Sequence, residues 1–513
     1  MERRAGCSRP RCAEATVEAV VVEPNRGADV VVVGGGSSGC VVAARLSEDP
    51  ERSVLLVESG PGYRAVHDRR VRDYRALPVG PGSDYAQVYG VELTPGVAST
   101  MVRGRVLGGS GAVNGVYFVR GTRADFDRWP QAWSYENVLP AFRALERDID
   151  FGGPWHGSSG PIPVRRQRSD RLSEISEAFL DAALERGYPE EPDKNGAGGG
   201  GVGPVPLNID GDVRLDTAMA YLLPAWNRPN LTVESDTDVV RILFSGSRVV
   251  GVEVETAGVR RIVHAGRVVL AAGPVETPVL LMHSGIGVAD HLMDNGISVI
   301  LDSPGVGSNF SDHPQVTLPY RPRESLRRDT TSPPIETVLN TADIEIRPYT
   351  APPAVLVPRS GQQDQVLGIG LMVPEGRGDI RLRSADRGDR PRIEYRYAQS
   401  ESDRRAMRQG QAIGLDLLHS PALSRLVVPL YEEVSDRCML AHLETSYHLC
   451  GSCRMGGSDD ASAVVDERGE VRGVEGLTIA DTSVFPSVPS RGPHATAVMV
   501  AERISTFLTQ SRR

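Results

Sequence analysis

The stretch ADVVVVGGGSSGCVVAARLSEDPERSVLLVESG, residues 28–60, decides the fold of the first part of the chain. A run of valines, residues 30–33, ends in glycines. Small and apolar residues follow from Cys40 to Leu46, and a second apolar run, residues 54–57, ends at Glu58. This order of strand, helix and strand predicts a β-α-β unit, the building block of an α/β domain.

The glycines of this unit are spaced as G-x-G-x-x-G, with Gly34, Gly36 and Gly39 between the first strand and the helix. The first glycine allows a tight turn, the second lets a pyrophosphate approach the backbone, and the third lets helix and strand pack closely. The helix N-terminus offers amides to the phosphates, and Glu58 can accept hydrogen bonds from ribose hydroxyls. The motif therefore predicts a dinucleotide site. It does not separate flavin from nicotinamide, and a glycine-rich turn without ligand is the alternative.

Length and composition limit the class of protein. A chain of 513 residues is too long for one compact core and predicts two or three lobes. Its net charge of −9 argues against a nucleic-acid binder. The sequence has no apolar stretch long enough for a transmembrane helix, and its six cysteines form no disulfide framework. We expect a cytoplasmic protein, which includes the case of peripheral association with the inner face of the membrane. Residues 1–27 are expected to form a flexible extension.

Hydrophobic patterns predict the remaining elements. Helices are expected after Ser134, over 170–187, over 274–286 and over 495–508. Strands are expected at 230–234, 239–243, 248–255 and 262–270, and the alternation over 340–396 favours an antiparallel sheet. The glycine-rich residues 194–206 and the segment PGVGSNFSDHP, 304–314, are expected to be loops.

Several further segments resemble the glucose–methanol–choline (GMC) oxidoreductases. GRVLGGSGAVNGVYFVRGTRADFD (104–127) and GPVETPVLLMHSGIG (273–287) resemble the two signatures of that family. HLCGSCRMG (448–456) and GLTIADTSVFPSVPSRGPHATAVMVAERI (476–504) resemble its C-terminal active-site block, and TAMAYLLPA (217–225) and residues 304–314 also look like family segments. The matches run in family order from residue 28 to 508.

The resemblance implies an α/β, Rossmann-like FAD domain that is discontinuous in sequence, and an α+β substrate domain with an antiparallel sheet. We assign residues 28–150, 203–313 and 445–513 to the FAD domain and residues 151–202 and 314–444 to the substrate domain. With the dinucleotide motif, it predicts cofactor contacts from Gly34, Gly36, Ser37, Ser38, Gly39, Glu58, Arg105, Val106, Gly108, Gly109, Ser110, Asn114, Gly115, Val239, Asp481 and Ala495. The carboxylate of Asp481 has a turn cap as its alternative role.

The same resemblance implies that an alcohol is oxidised, with hydride passing to the flavin and a histidine accepting the hydroxyl proton. Histidine suits this role because its ordinary pKa leaves it neutral near pH 7. His448 matches the family base and His494 matches the second active-site position. Val113 stands where some members carry a flavin-linking histidine, so the FAD is expected to be noncovalent.

Within the family, residues 151–166, 201–209, 344–350 and 490–496 look most similar to the dehydrogenase of mycofactocin gene clusters. That similarity implies reoxidation of reduced mycofactocin and transfer of electrons to a respiratory acceptor. An alcohol or choline-type oxidase or dehydrogenase of the same fold is one alternative, and a flavin-binding protein without turnover is another. Cys450 and Cys453 form C-x-x-C, for which packing is favoured over redox activity, and no metal site is predicted. The exact substrate, the use of oxygen and the oligomeric state stay open.

Overall fold

The structure is a computed structural model that describes residues 27–510. The predicted N-terminal extension, apart from Gly27, lies outside the described residues, as do Cys7 and Cys12. No helix among residues 27–510 is both long enough and apolar enough to cross a membrane.

The described residues form fourteen α-helices or helical turns and twenty-four strands. The helices are α1 Gly39–Leu46, α2 Tyr63–Val66, α3 Arg69–Arg72, α4 Arg123–Phe126, α5 Tyr135–Leu145, α6 Glu174–Glu185, α7 Leu223–Ala225, α8 Gly273–His283, α9 Ala289–Asp294, α10 Pro353–Leu356, α11 Glu401–Leu418, α12 Pro421–Ser424, α13 Asp436–Ala441 and α14 His494–Gln510. The strands are β1 Ala28–Val33, β2 Val54–Val57, β3 Ala86–Thr94, β4 Val97–Gly104, β5 Glu146–Asp148, β6 Ile162–Val164, β7 Gly201–Pro204, β8 Ile209–Asp210, β9 Val213–Arg214, β10 Leu231–Glu234, β11 Thr237–Ser245, β12 Arg248–Thr256, β13 Val259–Leu270, β14 Ile286–Gly287, β15 Leu301–Asp302, β16 Pro314–Pro322, β17 Thr337–Asn340, β18 Ile344–Pro348, β19 Gln365–Leu371, β20 Asp379–Arg381, β21 Arg392–Glu394, β22 Val427–Pro429, β23 Leu443–Thr445 and β24 Leu477–Ile479.

The first of two seven-stranded sheets has the order β10-β2-β1-β13-β12-β11, with β24 also pairing β13. Strands β10, β2, β1, β13 and β24 pair in parallel, while β12 and β11 continue the sheet in antiparallel. Parallel strands are covered on both faces, which is why β1 and β2 read as unbroken Val and Leu runs. Because β1 and β2 end at the same edge, the glycine loop after β1 meets Glu58 after β2 there.

The second seven-stranded sheet is antiparallel, in the order β22-β16-β19-β18-β17-β7, with β23 also pairing β16. Helix α11 packs on this sheet so closely that a Cβ on Gly414 would lie 2.8 Å from side-chain atoms of Ile369 and Leu318. The predicted fold class, a dinucleotide-binding α/β domain joined to an antiparallel sheet, is confirmed.

Three regions differ from the sequence-based expectation. The prediction of a loop over 194–206 is wrong at its end, because Gly201–Pro204 forms β7 and pairs with β17. Pairing with a neighbouring strand outweighs the low strand propensity of glycine, and a Cβ on Gly203 would lie 2.0 Å from the Glu191 carbonyl oxygen. Helix α11 and the β3–β4 hairpin were not predicted at all.

The predicted division into two domains stays a prediction. The boundary between residues 202 and 203 falls inside β7, which belongs to the antiparallel sheet.

Candidate active site

The dinucleotide loop has the geometry that its glycines predict. Gly34 adopts φ +95°, a conformation that side chains rarely adopt. A Cβ on Gly39 would lie 1.8 Å from the Gly34 carbonyl oxygen, so only glycine allows helix α1 to approach the loop. Around Gly36 the nearest atoms to a Cβ would be 3.8 Å away, which leaves space beside the backbone. Ser37 and Ser38 follow in the turn into α1, and the Ser38 side chain makes no capping hydrogen bond.

Glu58 orders this loop from the end of β2. Its carboxylate accepts hydrogen bonds from the amides of Gly35 and Gly60, at 2.7 and 2.8 Å. Burial raises the pKa of Glu58, while these two amides oppose the shift. A carboxylate has about four acceptor positions, so Glu58 retains capacity for ribose hydroxyls. The Glu58 carbonyl also accepts from Thr237 at 3.0 Å, which starts the strand that carries Val239 beside this edge.

A second glycine-rich loop packs directly on the first. Gly108 and Gly109 both have positive φ, +91° and +56°, and a Cβ on Gly109 would lie 2.6 Å from Cα of Gly36. The Ser110 hydroxyl accepts from the Gly104 amide at 3.1 Å. Of the neighbouring predicted residues, Val106 is buried, whereas the Arg105 side chain forms a half-exposed ion pair with Asp238 at 3.6 Å.

His494 begins helix α14 and meets the end of this second loop. Its Nδ1 lies 3.2 Å from the side-chain nitrogen Nδ2 of Asn114. The side-chain oxygen of Asn114 in turn accepts a hydrogen bond from the backbone amide of Val116 at 2.9 Å. The Nε2 atom of His494 is buried without a hydrogen-bond partner, and a Cβ on Gly111 would lie 2.7 Å from it. Burial, with a smaller contribution from Arg214, lowers the pKa of His494 to about 4, so its ring is neutral.

His448 meets a second histidine, His313, through the register of two strands. Strand β16 pairs with β23 so that Pro314 faces Thr445, and Ser311 bridges to Cys450, which places residues 312–313 opposite residues 446–449. The Nδ1 atoms of His313 and His448 lie 2.9 Å apart, so one of the two rings carries its proton on Nδ1.

Asp312 anchors both histidines. Its Oδ1 accepts from the amides of His313 and His448 at 2.6 and 2.8 Å, and its Oδ2 accepts from the Thr445 hydroxyl at 2.9 Å. Burial lowers the pKa of His313 to about 3 and that of His448 well below its ordinary value. The site therefore holds neutral imidazoles, which accept protons.

Two residues beside the histidine site have strained backbone conformations. Tyr447, just before His448, has φ +62°, and Val116, two residues after Asn114, has φ +54°. Both are unusual for side chains of this size, and such conformations persist only where surrounding contacts enforce them.

The remaining predicted residues have simpler structural roles. The Asp481 carboxylate caps a turn, accepting from Gly273, Thr277 and Ser483 at 2.7–2.9 Å. Ala495 is buried in the first turn of α14, and Val113 packs in a small apolar cluster.

Asn114 and Gly115 lie where the second glycine loop ends, and no atom lies within 4 Å of a Cβ built on Gly115. That position therefore borders open space.

The two cysteines of C-x-x-C are buried and reduced. The Cys450 thiol contacts the His448 carbonyl oxygen at 3.1 Å, and burial raises the pKa of both thiols. These contacts indicate packing.

The structure thus brings His448 and His494 into one region. A Cβ on Gly492, two residues before His494, would lie 3.8 Å from Nε2 of His448. His313 and Asp312 were not predicted as site residues, although they lie in the family-like segment PGVGSNFSDHP, residues 304–314. A histidine directly before β16 could have marked the site in the sequence. Its contact with His448, however, depends on the register of β16 and β23.

Comparisons with known proteins show the family of the chain. The sequence model of the GMC oxidoreductases matches the chain in two parts, residues 28–315 and residues 374–501. An uncharacterized GMC-type oxidoreductase of Rhodococcus erythropolis is 52% identical over 486 residues, which cover 94% of this chain and 98% of that protein. The mitochondrial choline dehydrogenase of Mus musculus is 33% identical over 530 residues, covering 93% and 89% of the two chains.

Solved structures show the same fold. Pyridoxine 4-oxidase from Mesorbium loti superposes with a TM-score of 0.87 at 29% identity, covering 94% of this chain and 99% of that one. A formate oxidase superposes with a TM-score of 0.85 at 25% identity, covering 94% and 98%.

Proposed function

The chain belongs to the GMC oxidoreductase family, and on that premise we propose that it oxidises an alcohol to a carbonyl compound, with His448 as the proton acceptor. The family consists of FAD-dependent oxidoreductases, and FAD is the cofactor of this chain.

The residues of the site fit FAD. The glycine loop after β1 leaves space at Gly36, Glu58 keeps acceptor capacity, and Gly115 borders open space. The buried Nε2 of His494 lacks a partner that a bound ligand would supply. Gly34, Gly36, Ser37, Ser38, Gly39 and Glu58 would hold the adenosine and pyrophosphate, with Val239 beside the adenine. Arg105, Val106, Gly108, Gly109, Ser110, Asn114, Gly115, Asp481 and Ala495 complete the proposed set, several of them through their backbone. The bound flavin supplies the hydride-accepting centre.

His448 acts as general base in this proposal. With its Nδ1 proton donated to Nδ1 of His313, the Nε2 lone pair of His448 is available for the hydroxyl proton of the alcohol. The lowered pKa keeps that lone pair unprotonated at neutral pH. Asp312 fixes the backbone of both histidines, so the base is positioned before the alcohol binds.

His494 and the start of α14 act on the other side of the reacting centre. The neutral His494 ring is oriented by Asn114, and its unpartnered Nε2 is free to hydrogen-bond the alcohol oxygen or the cofactor. The N-terminus of α14 carries partial positive charge, which stabilises negative charge that develops nearby.

The observation that carries the proposal is the convergence of two neutral histidines from residues 448 and 494 on glycine-lined space beside the dinucleotide loop. The test is anaerobic mixing of the purified flavoprotein with a panel of primary and secondary alcohols, followed by flavin absorbance. Bleaching by an alcohol supports the proposal. No bleaching by any alcohol, with intact FAD, favours a binding protein without turnover.

We propose reduced mycofactocin as the physiological alcohol and a respiratory carrier as the electron acceptor. The support is the similarity of residues 151–166, 201–209, 344–350 and 490–496 to the dehydrogenase of mycofactocin gene clusters. Bleaching of the flavin by reduced mycofactocin at low micromolar concentration would support this donor. Bleaching by choline and none by reduced mycofactocin would reject it.

A choline-type activity is the second candidate, because curated relatives at 32–33% identity over nearly the whole chain are named choline dehydrogenases. Reoxidation separates an oxidase from a dehydrogenase. We expect the reduced flavin to react slowly with air and faster with a quinone-like dye, measured by the return of its absorbance.

A further inference from the structure

A buried polar cluster stands on the antiparallel sheet next to the histidines. Glu345 and Arg347 lie on β18, with exposed fractions of 0% and 4%. Oε2 of Glu345 accepts from the Asn340 amide at 2.9 Å and from the Tyr117 hydroxyl at 3.2 Å. Arg347 Nη1 lies 3.4 Å from Oε1 of Glu345, and Nη2 donates to the Ser446 hydroxyl at 3.2 Å.

These contacts connect the Glu345–Arg347 pair to the segments that carry the two catalytic candidates. Ser446 is two residues before His448, and Arg347 lowers the pKa of both His448 and His313 after the larger effect of burial. On the other side, Tyr117 precedes Phe118, whose ring centroid lies 5.3 Å from that of His494. The pair is therefore linked to the His448 segment through Ser446 and to the His494 side through Tyr117 and Phe118.

Three buried polar atoms of this cluster lack a hydrogen-bond partner. They are Oε1 of Glu345, which lies in the ion pair with Nη1 of Arg347 but accepts no hydrogen bond, Nε of Arg347 and Oδ1 of Asn340. Buried polar groups without a partner are destabilising, and they are rare unless a ligand or water satisfies them. The set offers both acceptors and a donor, at side chains that are almost fully buried.

We propose that Glu345 and Arg347 select an alcohol that carries a second oxygen on the neighbouring carbon, a vicinal diol in its simplest form. A hydroxyl donates one hydrogen bond and accepts others, so the second hydroxyl donates to Glu345 while it accepts from Arg347. His448 is then left with the hydroxyl that is oxidised. This inference rests on the proposed function, because it concerns the substrate of the same site.

The groups around the Glu345–Arg347 pair favour a neutral substrate. The Glu345–Arg347 pair has no net charge, and Arg491 is buried nearby, with no carboxylate within ion-pair distance among residues 27–510. Arg491 also influences the pKa of Tyr117 and His313. The excess positive charge disfavours a quaternary ammonium, and a carboxylate on the substrate has no hydrogen to donate to Glu345.

The test compares matched ligands on the FAD-loaded enzyme. Binding of 1,2-hexanediol, 1-hexanol, 1,6-hexanediol, choline and 2-hydroxyhexanoate is measured by calorimetry under argon, with flavin absorbance followed in parallel. We expect 1,2-hexanediol to bind about tenfold or more tightly than the other four, the usual effect of a hydrogen bond to a charged group. Equal binding of the three alcohols, no binding of the diol, or tighter binding of choline or 2-hydroxyhexanoate overturns the proposal.

Variants assign the preference to the pair. In Glu345→Gln and Arg347→Met the ratio of 1,2-hexanediol affinity to 1-hexanol affinity should fall to about one. The control is Asp416→Asn, which removes a carboxylate on α11 from an exposed ion pair with Arg186. This variant should keep the diol preference. If both variants still prefer the diol, other residues select it and the role given to Glu345 and Arg347 is wrong. The wild-type comparison decides the proposal if the variants fail to fold. Diol-selective binding without bleaching would reject the proposed function alone, whereas bleaching without diol preference would reject this inference alone.

Discussion

His448 depends on its immediate neighbours for its chemistry. A lone buried histidine would be neutral but free to rotate, whereas His448 is held at Nδ1 by His313 and at its amide by Asp312. Orientation by a partner at one ring nitrogen leaves the other nitrogen as the acceptor. The catalytic proposal can therefore be tested at this one residue.

Replacement of His448 by alanine should slow flavin reduction by about 10²–10⁴-fold, the usual contribution of a positioned general base. FAD content should stay unchanged, because the residue is outside the dinucleotide loop. The wild-type rate should be constant at neutral pH and fall as pH drops through the lowered pKa of His448, below 6.5. Stopped-flow absorbance measures both, and the acid limb should disappear in the variant.

His442→Gln is the matched control, because His442 stacks on Tyr431 at 4.6 Å between ring centroids and has no role in the proposed chemistry. His494→Ala should also slow reduction, and the double variant should lose less than the product of the single losses. Loss of FAD or of solubility in His448→Ala, with a normal reduction rate in the remaining flavoprotein, would make His448 a packing residue.

Glu58 supports a second prediction at the residue scale. In Glu58→Gln the side-chain amide would place a donor against one of two backbone donors, Gly35 or Gly60. We expect FAD to bind more weakly by about 1–3 kcal/mol. Fluorescence titration of the apoprotein with FAD measures this change. Glu48→Gln, which changes an exposed carboxylate paired with Arg45, should bind FAD normally. Equal affinity in both variants would remove Glu58 from the site.

At the scale of elements, a buried ion cluster ties β5 to two neighbouring loops. His156 lies 3.1 Å from Asp148 and 3.2 Å from Glu146 through Nδ1, and 2.8 Å from Asp193 through Nε2. Arg166 also pairs with Asp148, at 2.6 Å. The three residues Glu146, Asp148 and His156 have the spacing of a metal site, but His156, Arg166 and Arg120, which pairs with Glu146, already neutralise the carboxylates. The cluster is therefore an ion-pair network that holds the loops.

His156→Gln should lower the free energy of unfolding by about 3–5 kcal/mol at pH 7, because it leaves buried carboxylates with one cation fewer. Burial opposes the charge on His156, yet its bonds to Asp148, Asp193 and Glu146 raise its pKa to about 10. A raised pKa means that the stabilisation is complete below pH 6.5 and is lost as pH rises through about 10.

The measurement is the difference in Tm between wild type and variant across pH 6–11. His264→Gln, at an exposed position on β13, should show no difference at any pH. A His156 difference that is unchanged from pH 7 to pH 11 would contradict the assigned charge state.

At the scale of the whole molecule, the proposed FAD contacts come from residues 34–58, 105–115, 239 and 481–495, which are far apart in sequence. A ligand that binds several such segments only in the folded state stabilises the whole fold. The buried Val113 offers no atom for a covalent link at the position where the family resemblance puts one.

We therefore expect acid denaturation and filtration to release all the yellow chromophore. The refolded apoprotein should have a lower Tm, which rises again with added FAD. Gel filtration and circular dichroism check that the apoprotein is folded. Colour that stays with the denatured chain would show a covalent flavin and reject the role given to Val113.

Some elements could be predicted from the sequence and others could not. The β-α-β unit, helices α5, α6, α8 and α14, and the strands from β10 to β13 follow from local hydrophobic patterns and caps. Helix α11 was not predicted. The reason is that its buried residues include Asp403, Gln411 and two glycines, which interrupt the apolar pattern of a helix. Its inner face is less apolar than a helix pattern leads one to expect.

The sequence by itself determined the dinucleotide loop, since a turn of glycines between a strand and a helix is a local structure, and family resemblance made His448 and His494 the proposed catalytic residues. Only the tertiary structure decided which groups these histidines meet. His313 contacts His448 because β16 and β23 pair in one register, and Glu345 and Arg347 reach the site because β18 lies in the same sheet. The contact between His313 and His448 joins residues 135 positions apart, and the order β16-β19-β18 depends on pairing between separate strands. Local patterns in the chain carry no record of either.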